Sequence, residues 1–320
     1  MTRIAEPLEK LTELTREDRV VTIGTFDGVH RGHQMLVRAA TERAHNLALP
    51  LTVITFDPPP IAVLRPDRFA GTVVTTQRKV ELLKQAGADS VVVLPFTHAL
   101  AALTAVEFLD ALVVPGHVRE LFVGEGFALG HNREGTVDVL TSLGGKRGIR
   151  VVALTRVESN GVIVSSSAIR RAIMEGDAGT ASRMLGRKFR IEGEVIHGAH
   201  VGRTIGYPTA NVLPPEGQIQ LADGIYASLT HLPGRSQLLP AMTYIGTRPA
   251  LNTGRRLIET HILDFDGDLY GHRIFVEFVE RLRADADFPT VDQLIAQLRH
   301  DEAQTRIVHT RLGRAAGLAS

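Results

Sequence analysis

Two histidines three residues apart, His30 and His33, lie in Gly24-Thr25-Phe26-Asp27-Gly28-Val29-His30-Arg31-Gly32-His33, directly after the apolar run Val20-Val21-Thr22-Ile23. Residues at i and i+3 share a helix face. A helix start presents unpaired backbone N–H groups that favour anions. Two imidazoles and a row of amides aimed at one point suit a phosphoryl group, whose oxygens they can hold as charge builds. A histidine pair alone is more often surface or satisfied core; the strand before it and the glycines around it favour function. Zinc is a weaker option, because no third ligand stands at a telling spacing. The chain has no G-x-x-x-x-G-K-[ST] and is therefore no ordinary P-loop protein.

Two further stretches could do chemistry. Ser165-Ser166-Ser167-Ala168-Ile169-Arg170 places hydroxyls at a helix start, with a cation following. Such hydroxyls cap the helix or bind phosphate, and Arg170 adds a bidentate donor. By itself a serine triplet is a plain N-cap. Gly202-Arg203-Thr204-Ile205-Gly206-Tyr207-Pro208-Thr209-Ala210-Asn211 lets backbone approach a ligand closely at its glycines. The oxygens of Thr209 and Asn211 are hard donors suited to magnesium, and two residues apart on an extended segment they face one side. The bland reading is a Gly/Pro-rich hairpin loop.

The elements around these residues alternate in the first half. Strands are expected at Val20–Ile23, Leu51–Phe56, Val91–Leu94, Glu120–Val123 and Ile149–Leu154. Helices are expected at Gly32–Leu47, Lys79–Ala86, Ala105–Val113 and Val137–Leu143. That pattern implies βαβ units, a mainly parallel doubly wound sheet, and ligands at the carboxyl ends of its strands. The texture changes near Gly186. Phe189–Val195, Ile225/Ala227/Leu229, Ile258/Thr260/Ile262 and Ile274/Val276/Phe278 alternate with period two, as in a small antiparallel barrel. One helix closes the chain: Thr290 and Gln293 fit a capping box, and Val291, Leu294, Ile295 and Leu298 form a stripe. The boundary falls between Gly179 and Lys188, giving expected domains 1–183 and 184–320.

Composition narrows the classes. At 320 residues, two domains are the default. Lysine and arginine number 36 against 35 acidic residues, which gives no nucleic-acid footprint. There is no cysteine, so disulfides, thiolate metal sites and cysteine nucleophiles are excluded. Met1 to Lys10 carries both charge signs and no apolar core, so no signal peptide is expected. No apolar run approaches a membrane span. A cytoplasmic protein without membrane or nucleic-acid partners is the expectation; oligomeric state stays open.

Gly24 to His33 resembles the HxGH signature of the nucleotidyltransferase superfamily, in the longer form typical of bacterial bifunctional riboflavin kinase/FMN adenylyltransferases (FAD synthetases). Ser165 to Arg170 resembles that family's S-S-[ST]-x-I-R, and Gly202 to Asn211 its G-R-x-x-G-[FY]-P-T-A-N. Asp223-Gly224-Ile225-Tyr226, Glu259-Thr260-His261-Ile262, Asp268-Leu269-Tyr270-Gly271 and Arg281-Leu282-Arg283 continue the match. The resemblance implies an α/β nucleotidyltransferase domain followed by a riboflavin kinase-like β-barrel with a closing helix. It implies ATP-dependent phosphorylation of riboflavin to FMN, then adenylylation of FMN to FAD with release of pyrophosphate. Riboflavin, FMN and ATP are the implied partners, with Mg2+ as cofactor. By the same resemblance Glu259 is the base on the ribityl hydroxyl, His30 and His33 act in adenylyl transfer, and Gly24, Thr25, Phe26, Asp27, Ser165, Ser166, Arg170, Gly202, Gly206, Thr209 and Asn211 bind nucleotide, with Thr209 and Asn211 toward the metal.

Three stretches depart from the family pattern. Gly126 stands where Asn or Asp is usual, Pro59 where His is common, and Ala250 ends a loop that usually ends in Thr. The first two fall in the adenylyltransferase half, so a riboflavin kinase with a weakened or repurposed adenylyltransferase domain is the alternative. A flavin- or nucleotide-binding regulator without turnover is a third reading, opposed by intact Glu259, His30 and His33.

Overall fold

The computed structural model describes residues 17–198, 201–247 and 256–315. Met1 to Lys10 and residues 248–250 of the Tyr244–Ala250 loop lie outside them. Contacts divide the chain into two units, Met1–Ser166 and Ser167–Ser320.

The first unit is built on a five-stranded sheet. Its strands are β1 (Arg19–Ile23), β2 (Leu51–Phe56), β3 (Ser90–Leu94), β4 (Val118–Gly124) and β5 (Arg150–Leu154), in the order β3-β2-β1-β4-β5. All four pairings are parallel. Parallel strands are covered on both faces, which is why β1 and β2 read as continuous apolar runs and are buried throughout. The helices α1 (Arg31–Asn46), α2 (Thr76–Gln85), α3 (Ala105–Gly116) and α4 (Val137–Gly145) supply the layers. Two of them show in side-chain caps why they start where they do. Thr75 accepts from the Arg78 N–H at the start of α2, and Thr104 and Glu107 form a reciprocal capping box on α3. Strand order reverses between β1 and β4, so the crevice at the carboxyl end of β1 is a switch point. The Gly24–His33 segment occupies that place.

The helix α5 (Ser166–Met174) leads to α6 (Ala178–Leu185), which ends on Gly186 at φ +71°. A closed antiparallel barrel follows in the order β6 (Phe189–Ile196), β7 (Ala210–Leu213), β10 (Arg256–Ile262), β9 (Leu239–Thr247), β8 (Gly224–His231), β11 (Arg273–Arg283). Period-two alternation sorts its residues. Ile191, Val212, Ile258, Ile245, Val276 and Phe278 are buried inside. The interior also holds a hydroxyl chain: Ser228 Oγ lies 2.6 Å from Thr243 Oγ1, which lies 3.1 Å from Thr260 Oγ1. A barrel leaves no open sheet edge, and its outer wall can carry a site. The helix α7 (Val291–Ala315) closes the unit; the Gln293 N–H donates to Thr290 Oγ1 at 3.3 Å.

The sequence reading finds every long strand of the first sheet to within two residues. It leaves out β7 and β9, whose short or glycine-interrupted runs blur the alternation. It also leaves out the short helices Pro60–Leu64 and His98–Ala101.

Candidate active sites

In the first unit the chain leaves β1 through a strained turn. Phe26 (φ +49°), Gly28 (φ +79°) and Val29 (φ +40°) are all left-handed. A β-branched residue there costs on the order of 1–3 kcal/mol and persists only where the surroundings over-determine it. They do so here. Phe26 and Val29 are buried, the Val29 carbonyl accepts from Gln34 Nε2 at 2.8 Å, and the buried Asp27 carboxylate accepts from the Val73 N–H at 2.9 Å. Thr55 Oγ1 donates to the Thr25 carbonyl at 3.0 Å, and the Gly24 N–H donates to Ile54 O at 3.1 Å, tying the turn to β2.

That turn delivers the histidines. His30 is the N-cap of α1, and its Nδ1 accepts from the His33 N–H at 3.3 Å. With Nδ1 used as acceptor, the neutral ring carries its proton on Nε2. The two imidazoles stack at 3.6 Å between centroids, and Phe26 meets His33 edge-on at 5.1 Å. The second serine motif reaches the same turn: Ser166 Oγ donates to the Asp27 carbonyl at 2.9 Å. Ser165 precedes it, and Arg170 lies one turn along α5, in the second unit by contacts. Beside Thr25 opens a cavity of about 800 Å3 walled by Phe56, Phe96, Phe108 and Phe127, with Arg65 and Arg133 among its polar members. Phe56 and Phe96 are edge-to-face at 5.5 Å.

The second unit brings its candidates together on the barrel's outer wall. Register pairs Asn211 with Glu259, Glu259 with Tyr244, Tyr244 with Ile225, and Ile225 with Arg283. Directly opposed residues share a face, so one row crosses five strands. Four of its members, Glu259, Tyr244, Ile225 and Arg283, line a cavity of about 500 Å3 together with Gly202, Thr209 and the α7 residues Leu294 and Leu298. Thr209 also lines a neighbouring cavity of about 680 Å3, with Arg203, Asp268 and Tyr270. The glycine loop is tight: the Tyr207 N–H donates to Gly202 O at 2.8 Å, a Cβ on residue 202 would strike the Tyr207 carbonyl, and Gly206 is left-handed at φ +85°. His261 Nδ1–H donates to the Pro208 carbonyl at 2.8 Å, fastening the loop to the strand that carries Glu259. Asn211 is buried and packs against Gly198, where no Cβ could fit beside its amide.

The rest of this wall is held by charge. Asp301, 2% exposed, accepts from Arg283 Nε at 3.0 and 3.1 Å and from Gln297 Nε2 at 2.8 Å. Tyr244 OH donates to Asp285 at 2.9 Å, and Tyr207 OH to Glu302 at 3.3 Å. Burial, reinforced by Glu302, raises the Tyr207 phenol above its ordinary value. Among the described residues no three His, Asp or Glu side chains cluster as a metal site.

The comparisons with known proteins match both units. A family model described as FAD synthetase matches residues 12–168, and one described as riboflavin kinase matches residues 185–309. The bifunctional riboflavin kinase/FMN adenylyltransferase of Escherichia coli (strain K12) is 36% identical over 305 residues, covering 95% of this chain and 97% of that protein. The chain belongs to the bifunctional riboflavin kinase/FMN adenylyltransferase family. The Pseudomonas fluorescens member is 38% identical over 295 residues, covering 90% of this chain and 92% of its own. A solved Streptococcus pneumoniae structure titled a macrolide-efflux protein shares the fold at a TM-score of 0.84 and 33% identity, over 92% of this chain and 95% of its own. Among the described residues here, no helix is long and apolar enough to cross a membrane.

Within that family the departures acquire a local account. A Cβ on residue 126 would run into the Arg156 guanidinium, which pairs with Glu125 at 3.4 Å; arginine fills the space a side chain at 126 would take. Pro59 is buried and starts the short helix Pro60–Leu64. Several cavity residues escape the sequence reading. Tyr244 is on β9, Asp285 and Phe288 share the loop after β11, and Leu298 is on α7; only the folded unit gathers them. The four cavity phenylalanines of the first unit are likewise scattered over β2, the loop after β3, α3 and the loop after β4.

Proposed function

We propose that this protein makes FAD in two steps, each unit carrying one. In the second unit the ribityl hydroxyl of riboflavin attacks the γ-phosphorus of ATP. Glu259 takes the hydroxyl proton, ADP leaves, and FMN forms. In the first unit a phosphate oxygen of FMN attacks the α-phosphorus of ATP; the bond to the β-phosphate bridging oxygen breaks and pyrophosphate leaves. Phosphoryl and nucleotidyl transfers need positioning and charge neutralisation more than covalent help.

The observation that carries this reading is the shared wall of Glu259 and Thr209. The reacting hydroxyl and the triphosphate need neighbouring spaces, and Thr209 borders both of the cavities described above. The larger is suited to the nucleotide, and the one under α7, with Tyr244, Tyr207 and Phe288 in its wall, to the flavin ring. Thr209 and Asn211 offer hard oxygens on one side of an extended segment, which fits Mg2+, and the ion's contribution is to neutralise phosphate charge. In the first unit the phenylalanine-walled cavity has the size and planar aromatic surfaces that suit an isoalloxazine. The Nε2–H of His30 and the ring of His33 stand at the helix start, where donors stabilise charge on the α-phosphoryl oxygens. Phe26 and Asp27 hold that turn in shape; Ser165, Ser166 and Arg170 are assigned to the triphosphate, and Gly202 and Gly206 to close backbone approach to ATP. The functional domains are assigned as 1–183 and 184–320, the protein as cytoplasmic, with no nucleic-acid or membrane partner. The test is incubation with riboflavin, ATP and Mg2+ followed by separation of flavins. Accumulation of FMN and FAD supports the reading; absence of both rejects it.

A further inference from the structure

One face of α7 links the two sides of the cavity proposed for the nucleotide. Tyr207 OH donates to Glu302 Oε2 at 3.3 Å. Arg306, one turn further along the helix, donates through Nε and Nη2 to Glu302 Oε1 at 3.0 and 2.9 Å. The same guanidinium donates through Nη1 and Nη2 to both carboxylate oxygens of Asp264, at 2.8 Å each. The chain Tyr207–Glu302–Arg306–Asp264 is therefore continuous. Its ends stand at the roots of two cavity walls. Tyr207 leads directly into Pro208, Thr209 and Ala210, and Asp264 into Phe265 to Tyr270; both runs line the cavity. Asp264 is left-handed at φ +56° and turns the chain out of β10. The Tyr207 ring is buried with Ile225, Met242 and Tyr244, with Leu298 of α7 packed on them, so its position is passed on to the loop it anchors. Asp264 and Arg306 are 75% and 47% exposed, and ion pairs in such places add little to stability. What a two-pronged arginine supplies there is geometry.

We infer that Glu302 and Arg306 are positioning residues for riboflavin phosphorylation, a clasp that sets the separation of the Tyr207–Ala210 and Phe265–Tyr270 walls and so the place of the ATP triphosphate beside Thr209. Neither residue lines either cavity. Both act through what they hold, and small displacements of a bound phosphate are costly in transfer reactions. The inference rests on the reading that this cavity takes ATP, and that reading is checked separately by FMN formation in the unaltered protein.

The test uses the full-length chain with riboflavin, ATP and Mg2+. Glu302→Ala cuts the clasp at its centre. It should raise KM for ATP in FMN formation at least fivefold while KM for riboflavin stays within twofold. Tyr207→Phe keeps the ring, removes the hydroxyl and should raise KM for ATP at least threefold. If Glu302 acts through that hydroxyl, the double variant stays within twofold of Glu302→Ala, because residues in one chain of contacts are not additive. General loosening of the unit would instead raise both KM values together. An unchanged KM for ATP in Glu302→Ala, an equal rise for both substrates, or multiplied effects in the double variant overturns the inference. Should Glu302→Ala fail to fold, Tyr207→Phe alone decides: a rise in KM for ATP with KM for riboflavin unchanged supports the clasp, and any other result overturns it.

Discussion

Replacing Asp301 by alanine isolates what holds the wall of the cavity proposed for the flavin. The carboxylate accepts from Arg283 Nε and, at 2.8 Å, from Arg283 Nη2, and takes a further hydrogen bond from Gln297. Asp301 is 2% exposed and the Arg283 side chain 21%. Breaking a buried pair by deleting one partner costs about 3–5 kcal/mol, because the other charge is stranded. Partial water access to Arg283 puts the expected loss at the low end, about 3 kcal/mol. Arg283 also lies over the Phe288 ring at 5.5 Å and donates to the Ala284 carbonyl at 3.0 Å, so its release frees the segment that walls the cavity. KM for riboflavin should therefore rise by roughly tenfold, since about 1.4 kcal/mol of lost binding suffices for that. Asp301→Asn keeps one acceptor oxygen and should lose only about 1–2 kcal/mol. Urea unfolding followed by circular dichroism, with kinase activity read across the same titration, assigns the transition to this unit. A loss below about 1 kcal/mol in Asp301→Ala, with KM unchanged, would refute the reasoning.

Other expectations follow from single contacts. Gly202→Ala places a methyl against the Tyr207 carbonyl and should cut FMN formation at least tenfold in a riboflavin assay; Gly206→Ala, with open space around it, should cost only the left-handed strain, about 1 kcal/mol. His30→Ala removes the cap on α1 and the Nε2–H donor together, so adenylylation should fall by about 10²–10³ while helix stability drops by about 1 kcal/mol, read by FAD formation and thermal unfolding. Burial holds the His309 imidazole below its ordinary 6.5, although the carbonyls of Ala241 and Ser228 pull it partly back. Its neutral form is therefore preferred in the folded protein: the contribution is complete above 6.5 and is lost as pH falls toward the folded value. Unfolding midpoints of the second unit should drop on acidification below that point, and His309→Gln should flatten the drop without affecting stability at pH about 8.

Much of both sites was legible because their residues are local. Gly24 to His33 needs only its own turn and helix start, and Gly202 to Asn211 is one loop and the strand it feeds. Periodicity carried the sheet because buried parallel strands are uniformly apolar. The pairing of Asn211 with Glu259, nearly fifty residues apart, followed from resemblance; register now gives its physical basis. What escaped was assembled by tertiary structure. Arg283 stands in the matched Arg281-Leu282-Arg283 run, but nothing local shows that Asp301, on α7, comes beneath it. Lys79 only opens an expected helix, and nothing in its neighbours reveals that α2 turns it inward onto Phe56. Gly126 reads as a missing polar group, because Arg156 is thirty residues away in the chain.

The most direct measurement separates the two steps in one polypeptide. Glu259→Gln is supplied either with riboflavin or with FMN, each with ATP and Mg2+, and the flavin products are quantified. Loss of a positioned general base should slow FMN formation from riboflavin by about 10²–10⁴, while FAD formation from supplied FMN stays at the rate of the unaltered protein. Undiminished conversion of riboflavin to FMN in that variant, or equal loss of both steps, would contradict the account.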